Sequence, residues 1–452
     1  MIPAGTPIVL DERMRPVEPL CSWLRHLGLA RRDAKTMRAY VQSVLRLQDF
    51  MAQRDGDLLT ISETDIMEFR AWRRTGCEQP IQQATWERES AALGSFYGWL
   101  VDYGYLRARP WRSGGRRDVL RDGVNREMRV RHLTLDQYQY FRDVGLGGID
   151  PDGEVDLRFR GWHPHRNRAA ADLALVTGIR LQEWSTLLLP ELGIGAAVPR
   201  GDVEVDLGVC AKYERPRTVY VTADAMNGID NYVQLERAEI VETAQRTLKA
   251  RRAELFVVDR VDPERGRLHG VLDGRQVAWA IAAMKPELRA ITVVDGGAGL
   301  EPLALFIGRG GAMLTPSGWD RVRWRAWDRM KSAAVGRQVP TMPRRQWVFH
   351  DERHSFALQM LIYLTRRLLN DEVAQERPMA SLLEHMVTNP VLEVQALLGH
   401  ATPSTTYRYI KYLRDPMTDV AAVFREWTDS EATYAQIAAQ RLGLGGEYAG
   451  QR

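Results

Sequence analysis

The stretch HDERHSFALQML, residues 350–361, places two histidines and an arginine within five positions. His350 and His354 have the four-residue spacing of helical zinc sites. Zinc proteases, however, place a glutamate directly after the first histidine, whereas Asp351 stands there, and the cation of Arg353 would repel a bound dication. A metal site is therefore disfavoured. Two interpretations remain: a polar helix start whose histidine satisfies local backbone groups, and a group of side chains that holds a phosphate.

The composition is that of a globular protein. With 452 residues and 45% hydrophobic content, the chain can form two or three domains with their own cores. The three cysteines, Cys21, Cys77 and Cys210, lie far apart without a CxxC pair, which favours neither disulfides nor a thiolate zinc site and indicates a reducing compartment. Since the N-terminus lacks a signal-peptide pattern and no stretch approaches about 18 apolar residues, we expect a cytoplasmic protein without a membrane partner.

Positive charge is concentrated in one stretch. Between Leu106 and His132 the chain carries nine arginines and three acidic residues, which gives a local net charge of +6, compared with +4 for the whole chain. Such a segment is either a solvated linker or a strap that lies along the phosphates of a nucleic acid. The candidate DNA-binding residues of this strap are Arg107, Arg109, Arg112, Arg116, Arg117 and Arg121.

Three helical patterns precede this stretch. The segments 33–53, 62–74 and 83–105 each carry apolar residues at helical spacing. Ser62 and Asp65 form a start like a capping box, and Gly104 stands where the last helix would end. We therefore predict an N-terminal extension over 1–16, a small helical domain over 17–108 and a basic linker over 109–131.

A larger unit follows the linker. The sequence NRAAADLALVTGIRLQEWSTLLL predicts two helices broken at Gly178, with Arg180 in the first turn of the second. The alternation around residues 203–222 predicts a β-hairpin with Lys212 near its tip. We expect this domain to cover 132–428, with an insertion around 255–300, and to be followed by a tail over 429–452.

Two segments of this unit, together with a third near residue 400, resemble the motifs of the tyrosine recombinase or phage integrase family. The first box of that family has an arginine after Thr-Gly and a glutamate three residues later, matched here by Arg180 and Glu183. The second is a His-x-x-Arg-His core, matched by His350, Arg353 and His354. Together with the third box, near residue 400, they occur in the family's order.

The segment LLGHATPSTTYRYIKY is similar to the third box, in which a tyrosine follows the histidine by nine residues. Counting from His400 selects Tyr409, although Tyr407 and Tyr412 compete for the role of nucleophile. The helical domain before the strap also resembles the family's core-binding domain. The resemblance, spanning roughly residues 17–415, implies a mainly α fold with a small β-sheet: an N-terminal helical core-binding (SAM-like) domain and a C-terminal catalytic domain of the tyrosine recombinase type (α+β).

The chemistry of phosphoryl transfer suits these residue types. Arg180 and Arg353 would hold the non-bridging oxygens, since guanidinium forks match the charge that develops there. A tyrosine is mostly protonated at neutral pH, so attack on phosphorus needs a base and a positive field. The resemblance implies His350 as that base and His400 as a donor to the phosphate. The family's hairpin lysine, which protonates the leaving 5′ oxygen, aligns on Lys212.

Other residues have weaker assignments. Glu183 and His354 are interpreted as supporting residues, and Arg180 has the alternative of being a surface arginine paired with Glu183. Three features depart from the family's pattern: Glu352 stands where leucine is usual, Ala211 stands where glycine is common, and the insertion and tail are long. Every catalytic residue type is nevertheless retained.

The resemblance implies a site-specific DNA recombinase that breaks and rejoins strands through a 3′-phosphotyrosyl intermediate, without metal or other cofactor. The expected partners are double-stranded DNA and accessory proteins or co-encoded recombinases. We expect a homo-tetramer on paired DNA sites, located at the nucleoid, in which the C-terminal tail passes from one subunit to its neighbour. Two alternatives stay open: a catalytically silent DNA-binding protein and a type IB topoisomerase-like relaxing enzyme. The sequence does not distinguish integration, excision, transposition and dimer resolution, and the DNA target stays open because groove contacts set it.

Overall fold

The computed structural model describes residues 2–112, 118–120, 131–194, 201–211, 216–296, 299–336, 339, 342, 345–374 and 389–410, without the side chains of 367–374, 404, 408 and 410. The chain divides into two compact units, Met1–Glu127 and Met128–Arg452. Among the described residues, no helix is both long enough and apolar enough to cross a membrane. The prediction of a mainly helical protein with small sheets is confirmed.

The first unit is a helical bundle. Its helices are α1 (Leu20–Leu29), α2 (Ala34–Ala52), α3 (Glu63–Ala71), which continues as a π-helix (Trp72–Gly76), and α4 (Gln83–Asp102). Asp33 caps α2, and Ser62 and Asp65 form the capping box at the start of α3. The core is rich in aromatic rings.

The second unit is mixed. Its helices are α5 (Leu135–Tyr140), α6 (Pro164–Thr177), α7 (Leu181–Ser185), α8 (Ala223–Tyr232), α9 (Ala238–Ala250), α10 (Pro286–Arg289), α11 (Pro316–Ala334), α12 (Phe349–Ala374), α13 (Pro390–Leu398) and α14 (Pro403–Ile410). Two π-helices, Phe141–Leu146 and Val233–Arg237, extend α5 and α8, and short 3-10 turns lie at Leu189–Leu192, Arg252–Glu254, Ile281–Ala283 and Arg309–Gly311.

The second unit contains two sheets. Strands β1 (Val203–Leu207) and β2 (Arg217–Val221) form the antiparallel pair that alternation predicts, with Val205 opposite Val219. A five-stranded sheet has the order β5-β4-β3-β6-β7, with strands β3 (Phe256–Asp262), β4 (Arg267–Leu272), β5 (Arg275–Ala280), β6 (Thr292–Asp295) and β7 (Leu300–Pro302). It lies in the region predicted as an insertion, and only its β3–β6 pair is parallel.

An aromatic core supports the starts of α7 and α12. Trp184 of α7 packs against Trp319 of α11, with ring centroids 4.7 Å apart, and against Phe349 at 5.2 Å. Because both helices rest on the same fully buried rings, Arg180 before α7 and the charged first turns of α12 are held in one place. A second apolar cluster joins α12, α13 and α14 and includes Leu398 and Tyr409.

Candidate active site

Arg353 connects the three predicted boxes. Its Nη1 donates to the carbonyl of Gly178 at 2.7 Å, and its Nη2 donates to the carbonyl of Leu398 at 2.6 Å. These carbonyls lie at the C-terminal ends of α6 and α13, where helices leave carbonyls without internal partners. Burial, then the nearby cations of Arg180 and Arg217, lowers the pKa of Arg353 to about 9. The guanidinium stays charged at neutral pH and fixes both helix ends beside α12.

Gly178 makes this connection possible. Its φ of +61° ends α6 in the left-handed conformation, and a Cβ there would lie 2.3 Å from a ring carbon of Phe356. The predicted break therefore falls where the sequence places it. Arg180, however, precedes α7 as its N-cap residue with an extended ψ of 154°, whereas we predicted it in the first turn. The backbone N–H of Arg180 donates to the carboxylate of Glu183 at 2.8 Å, which explains the shift of one position.

Glu183 is a buried carboxylate between two arginines. Arg180 Nη1 lies 3.1 Å from Oε1, and Arg217 binds both oxygens, with Nη2 2.6 Å from Oε2 and Nη1 3.3 Å from Oε1. Burial alone would raise the pKa of Glu183, but the hydrogen bonds and charge of Arg217, followed by those of Arg180, hold it below its ordinary value. Glu183 is therefore ionised and orients both guanidinium groups.

His400 follows α13 at a tight turn. Gly399 has a φ of +63°, and His400 Nδ1 lies 2.9 Å from Oγ1 of Thr406. Burial, then the cations of Arg353 and Arg180, lowers the pKa of His400 to about 3. The ring is therefore neutral at physiological pH, and Thr406 fixes its orientation.

Tyr409 lies inside the cluster. Its side chain is 2% exposed, and its hydroxyl lies 2.9 Å from Nδ1 of His354. The rings of His400 and Tyr409 are parallel within 4°, with centroids 6.2 Å apart. Burial raises the pKa of Tyr409, and the cations of Arg353 and Arg180 offset part of that rise. Tyr407, its competitor, is 50% exposed, and Tyr412 lies outside the described residues.

His354 is the partner of the tyrosine hydroxyl. Burial, then the charges of His350 and Arg353, lowers the pKa of His354 to about 3. With both groups neutral, the direction of this hydrogen bond is set by the tautomer of His354: the hydroxyl of Tyr409 donates to Nδ1 when the ring proton lies on Nε2. The same ring meets that of His350 edge to face, with centroids 4.6 Å apart.

His350 lies at the exposed edge of the site. Together with Arg180, Asp320 of α11 and the apolar residues between them, it lines a cavity of about 180 Å³. The cavity gives solvent access to the guanidinium of Arg180. Among the described residues, no group of three or more histidine, cysteine, aspartate or glutamate side chains is arranged to hold a metal ion.

The structure brings together most of the predicted site residues. Arg180, Glu183, Arg353, His354, His400 and Tyr409 are joined by the contacts above, with His350 at their edge. Lys212 lies outside the described residues. Of the strap, Arg107, Arg109 and Arg112 are exposed on the first unit, and Arg116, Arg117 and Arg121 lie outside the described part of the chain.

Arg217 is the site residue that our sequence analysis missed. A signal was present, because positions 217, 219 and 221 of β2 share one face, and Val219 and Val221 are buried. An arginine in line with two buried valines on a strand is expected to point inward and to need a carboxylate partner. Glu183, 34 residues earlier, supplies it.

The first unit has the fold class of a SAM-like helical domain. Residues 20–104 match the family described as phage integrase, N-terminal SAM-like domain, and this part of the chain is similar to that domain. The match confirms the predicted resemblance to phage integrases. No curated protein sequence matches the chain.

Solved structures of recombinases align with most of the chain at low identity. They include XerH site-specific recombinase bound to palindromic difH substrate (16% identity, TM-score 0.48, 92% of both chains). A lambda integrase tetramer bound to a Holliday junction aligns at 13% identity and a TM-score of 0.44, over 86% of this chain and 76% of that one. The Tn1549 transposon integrase in complex with circular intermediate DNA aligns at 15% identity and a TM-score of 0.41, over 84% and 85%.

Proposed function

We propose that the chain is a DNA strand-transfer enzyme of the tyrosine recombinase type, with Tyr409 as the nucleophile. One observation carries the proposal: the Tyr409 hydroxyl is hydrogen-bonded to a neutral histidine inside a cluster that also contains two arginines. A nucleophilic hydroxyl next to a base, with cations beside it, is the arrangement that phosphoryl transfer requires.

The proposed step transfers a phosphoryl group without net change in bond type. The Tyr409 oxygen forms a bond to phosphorus, its proton passes to His354 Nδ1, and the bond to the 5′ oxygen of the DNA breaks, leaving a 3′-phosphotyrosyl link. The 5′ oxygen takes a proton, and Lys212 remains our candidate donor. We assigned the base to His350 from the sequence; the 2.9 Å contact favours His354 instead.

The charges of the site support binding of an anion. Arg180 and Arg217 contact the buried carboxylate of Glu183, and the cations of Arg353, Arg180 and Arg217 each lower the pKa of His400. Two opposite charges 4 Å apart attract by about 4 kcal/mol at an effective dielectric constant of 20. A phosphate at this site would therefore offset an excess of positive charge that the folded protein keeps close together.

DNA is the proposed substrate because of the first unit. The SAM-like domain is a domain of phage integrases, and the exposed arginines at its C-terminal end, Arg107, Arg109 and Arg112, suit a phosphate backbone. The proposal includes site-specific recombination by a tetramer on paired DNA sites, in the cytoplasm, with a direction of reaction left open. A silent DNA-binding protein and a relaxing enzyme are the alternatives to be tested.

Covalent capture tests the proposal. Cells expressing wild type, Tyr409→Phe or Tyr407→Phe are lysed rapidly in detergent, and the DNA that stays attached to the protein is sequenced. We expect adducts at recurring sites with wild type and with Tyr407→Phe, because the Tyr407 side chain is half exposed, and none with Tyr409→Phe.

Each other outcome has a defined meaning. Adducts with Tyr409→Phe would contradict the assignment of the nucleophile. Absence of adducts from wild type, despite ordinary DNA binding, would favour the silent protein. Relaxation of a supercoiled plasmid that lacks the captured sites would favour the relaxing enzyme, since that activity needs no paired sites.

A further inference from the structure

We propose that Arg217 is a positioning residue of the phosphate clamp: it takes up the charge of Glu183 and thereby leaves the guanidinium of Arg180 available to the scissile phosphate. This inference rests on the proposed function. It gives a role to the ion pair that the strand-transfer chemistry itself does not use.

The contacts of Glu183 are divided unequally between the two arginines. Arg217 binds both carboxylate oxygens through its two terminal nitrogens, at 2.6 and 3.3 Å. The guanidinium of Arg180 makes a single contact, from Nη1 at 3.1 Å, and the second bond from this residue is a backbone one. A two-point pair is the stronger and more directional arrangement. Arg217 therefore holds the carboxylate, and most of the Arg180 fork is left for another acceptor.

Burial makes this division necessary. The Glu183 side chain is 1% exposed and that of Arg217 is 9% exposed, whereas that of Arg180 is 23% exposed and lines the cavity with His350. A buried carboxylate cannot be satisfied by water, so it takes whatever cation is within reach. Without Arg217, Arg180 is the arginine that is still in contact with it among the residues that the structure describes. Arg180 would then turn inward, away from the cavity.

Arg217 also contacts the turn that carries His400. It stands at the start of β2, paired with Leu207 of β1, and a Cβ added to Gly399 would lie 3.0 Å from its Cδ and 3.2 Å from its Nη1. The glycine therefore lets the turn after α13 pack directly on the arginine. One side chain thus supports Arg180 through Glu183 and His400 through Gly399.

The experiment measures cleavage of a captured DNA site under single-turnover conditions at saturating DNA. The variants are Arg217→Met, Arg217→Lys, the double variant Glu183→Gln/Arg217→Met, and Arg252→Met as a control, since Arg252 is an exposed arginine paired with Asp295 of β6 in the five-stranded sheet. Circular dichroism at the assay temperature shows that each variant is folded, and DNA affinity is measured separately.

We expect Arg217→Met to lower the cleavage rate by about 100-fold, the order of one lost transition-state donor, while DNA affinity changes little because the rest of the DNA interface is intact. The cleavage rate of Arg217→Lys should fall between those of wild type and Arg217→Met, since lysine keeps the charge but not the two-point geometry of the guanidinium. In the double variant the neutral amide no longer draws Arg180 inward, so at least about tenfold of the rate should return. Arg252→Met should match wild type.

Normal cleavage by folded Arg217→Met would overturn the inference. So would a double variant that is as stable as wild type but cleaves no faster than Arg217→Met, because the uncompensated charge of Glu183 would then not be the cause of the lost rate. If Arg217→Met does not fold, the double variant decides alone, and its folded but inactive form contradicts the proposal. Failure of the proposed function is distinguishable, because wild type would then form no adduct at all.

Discussion

Replacing Glu352 should stabilise the second unit. This residue stands where the family usually has leucine, and in the structure its side chain is 0% exposed. Neither carboxylate oxygen has a hydrogen-bond partner among the described residues. Burial, followed by the negative charges of Asp172 and Asp351, raises the pKa of Glu352 well above its ordinary value. The chain therefore keeps an acid in its interior that favours the neutral, protonated form.

The magnitude follows from the missing partners. A buried polar group without a hydrogen bond costs about 1–3 kcal/mol, and leucine of similar size removes that cost. Glu352→Leu should therefore raise the free energy of unfolding by about 1–3 kcal/mol, or the transition temperature by a few degrees, at roughly 2–4 °C per kcal/mol. Glu352→Gln keeps a polar group without partners, so it should gain less than leucine.

The effect should depend on pH. Because the pKa of Glu352 is higher in the folded chain than its ordinary 4.5, the folded state holds more protons than the unfolded state above that value. The stability of wild type is then greatest below the ordinary pKa and is lost as pH rises through the folded-state pKa. Both substitutions remove this loss, so their advantage over wild type should be larger at pH 8 than at pH 5.

Thermal and urea unfolding of the full chain at the two pH values measure this directly, with Glu393→Gln on the exposed side of α13 as the control. The two units can melt separately, and the transition that shifts should be that of the second unit. A Glu352→Leu variant that is less stable than wild type at pH 8 would refute the reasoning, since it would mean that the carboxylate is ionised and stabilised by a partner.

Two further predictions concern single positions. Gly178→Ala should lower the transition temperature and abolish cleavage, because the added Cβ would lie 2.3 Å from Phe356 and the positive φ adds strain. Gly193→Ala is the control, since Gly193 has a φ of +63° and nothing lies within 4 Å of its Cβ. It should lower the free energy of unfolding by only about 1 kcal/mol in the same assay. Arg73→Met should destabilise the first unit by about 3–5 kcal/mol in urea unfolding, because it leaves fully buried Glu89 without its ion pair at 2.6 Å. Arg46→Met removes only a contact with Glu89 at 3.4 Å from a half-exposed arginine, so it should cost under about 1 kcal/mol. Equal losses of stability in the two variants would contradict this assignment.

Local signals explain what the sequence predicted well. The capping box of Ser62 and Asp65, the helix end at Gly178 and the pairing of β1 with β2 each depend on residues within a few positions or one turn. The one-position error at Arg180 arises because the carboxylate of Glu183 binds its backbone N–H and ends the extended segment there. Caps and turns are short-range, so one sequence is enough to predict them.

Long-range contacts explain what the sequence did not predict. The bond between His354 and Tyr409 joins residues 55 positions apart, and the pair of Glu183 and Arg217 joins residues 34 apart. Neither distance follows from periodicity, although the family's motifs brought three of the four residues into consideration. The five-stranded sheet was missed as a sheet because its parallel β3–β6 pair is separated by a helix and two other strands.

Burial has opposite effects on the two partners of the proposed proton transfer, and this limits when transfer can occur. It raises the pKa of Tyr409 and lowers that of His354 to about 3, so the proton stays on the tyrosine in the free protein. The cation of Arg353 favours the tyrosinate but also opposes a charged His354. A bound phosphate would offset that cation, which favours the protonated histidine and disfavours the free tyrosinate. In the proposed reaction, proton transfer to His354 is therefore coupled to the attack on phosphorus, because neither burial nor the phosphate stabilises a free tyrosinate.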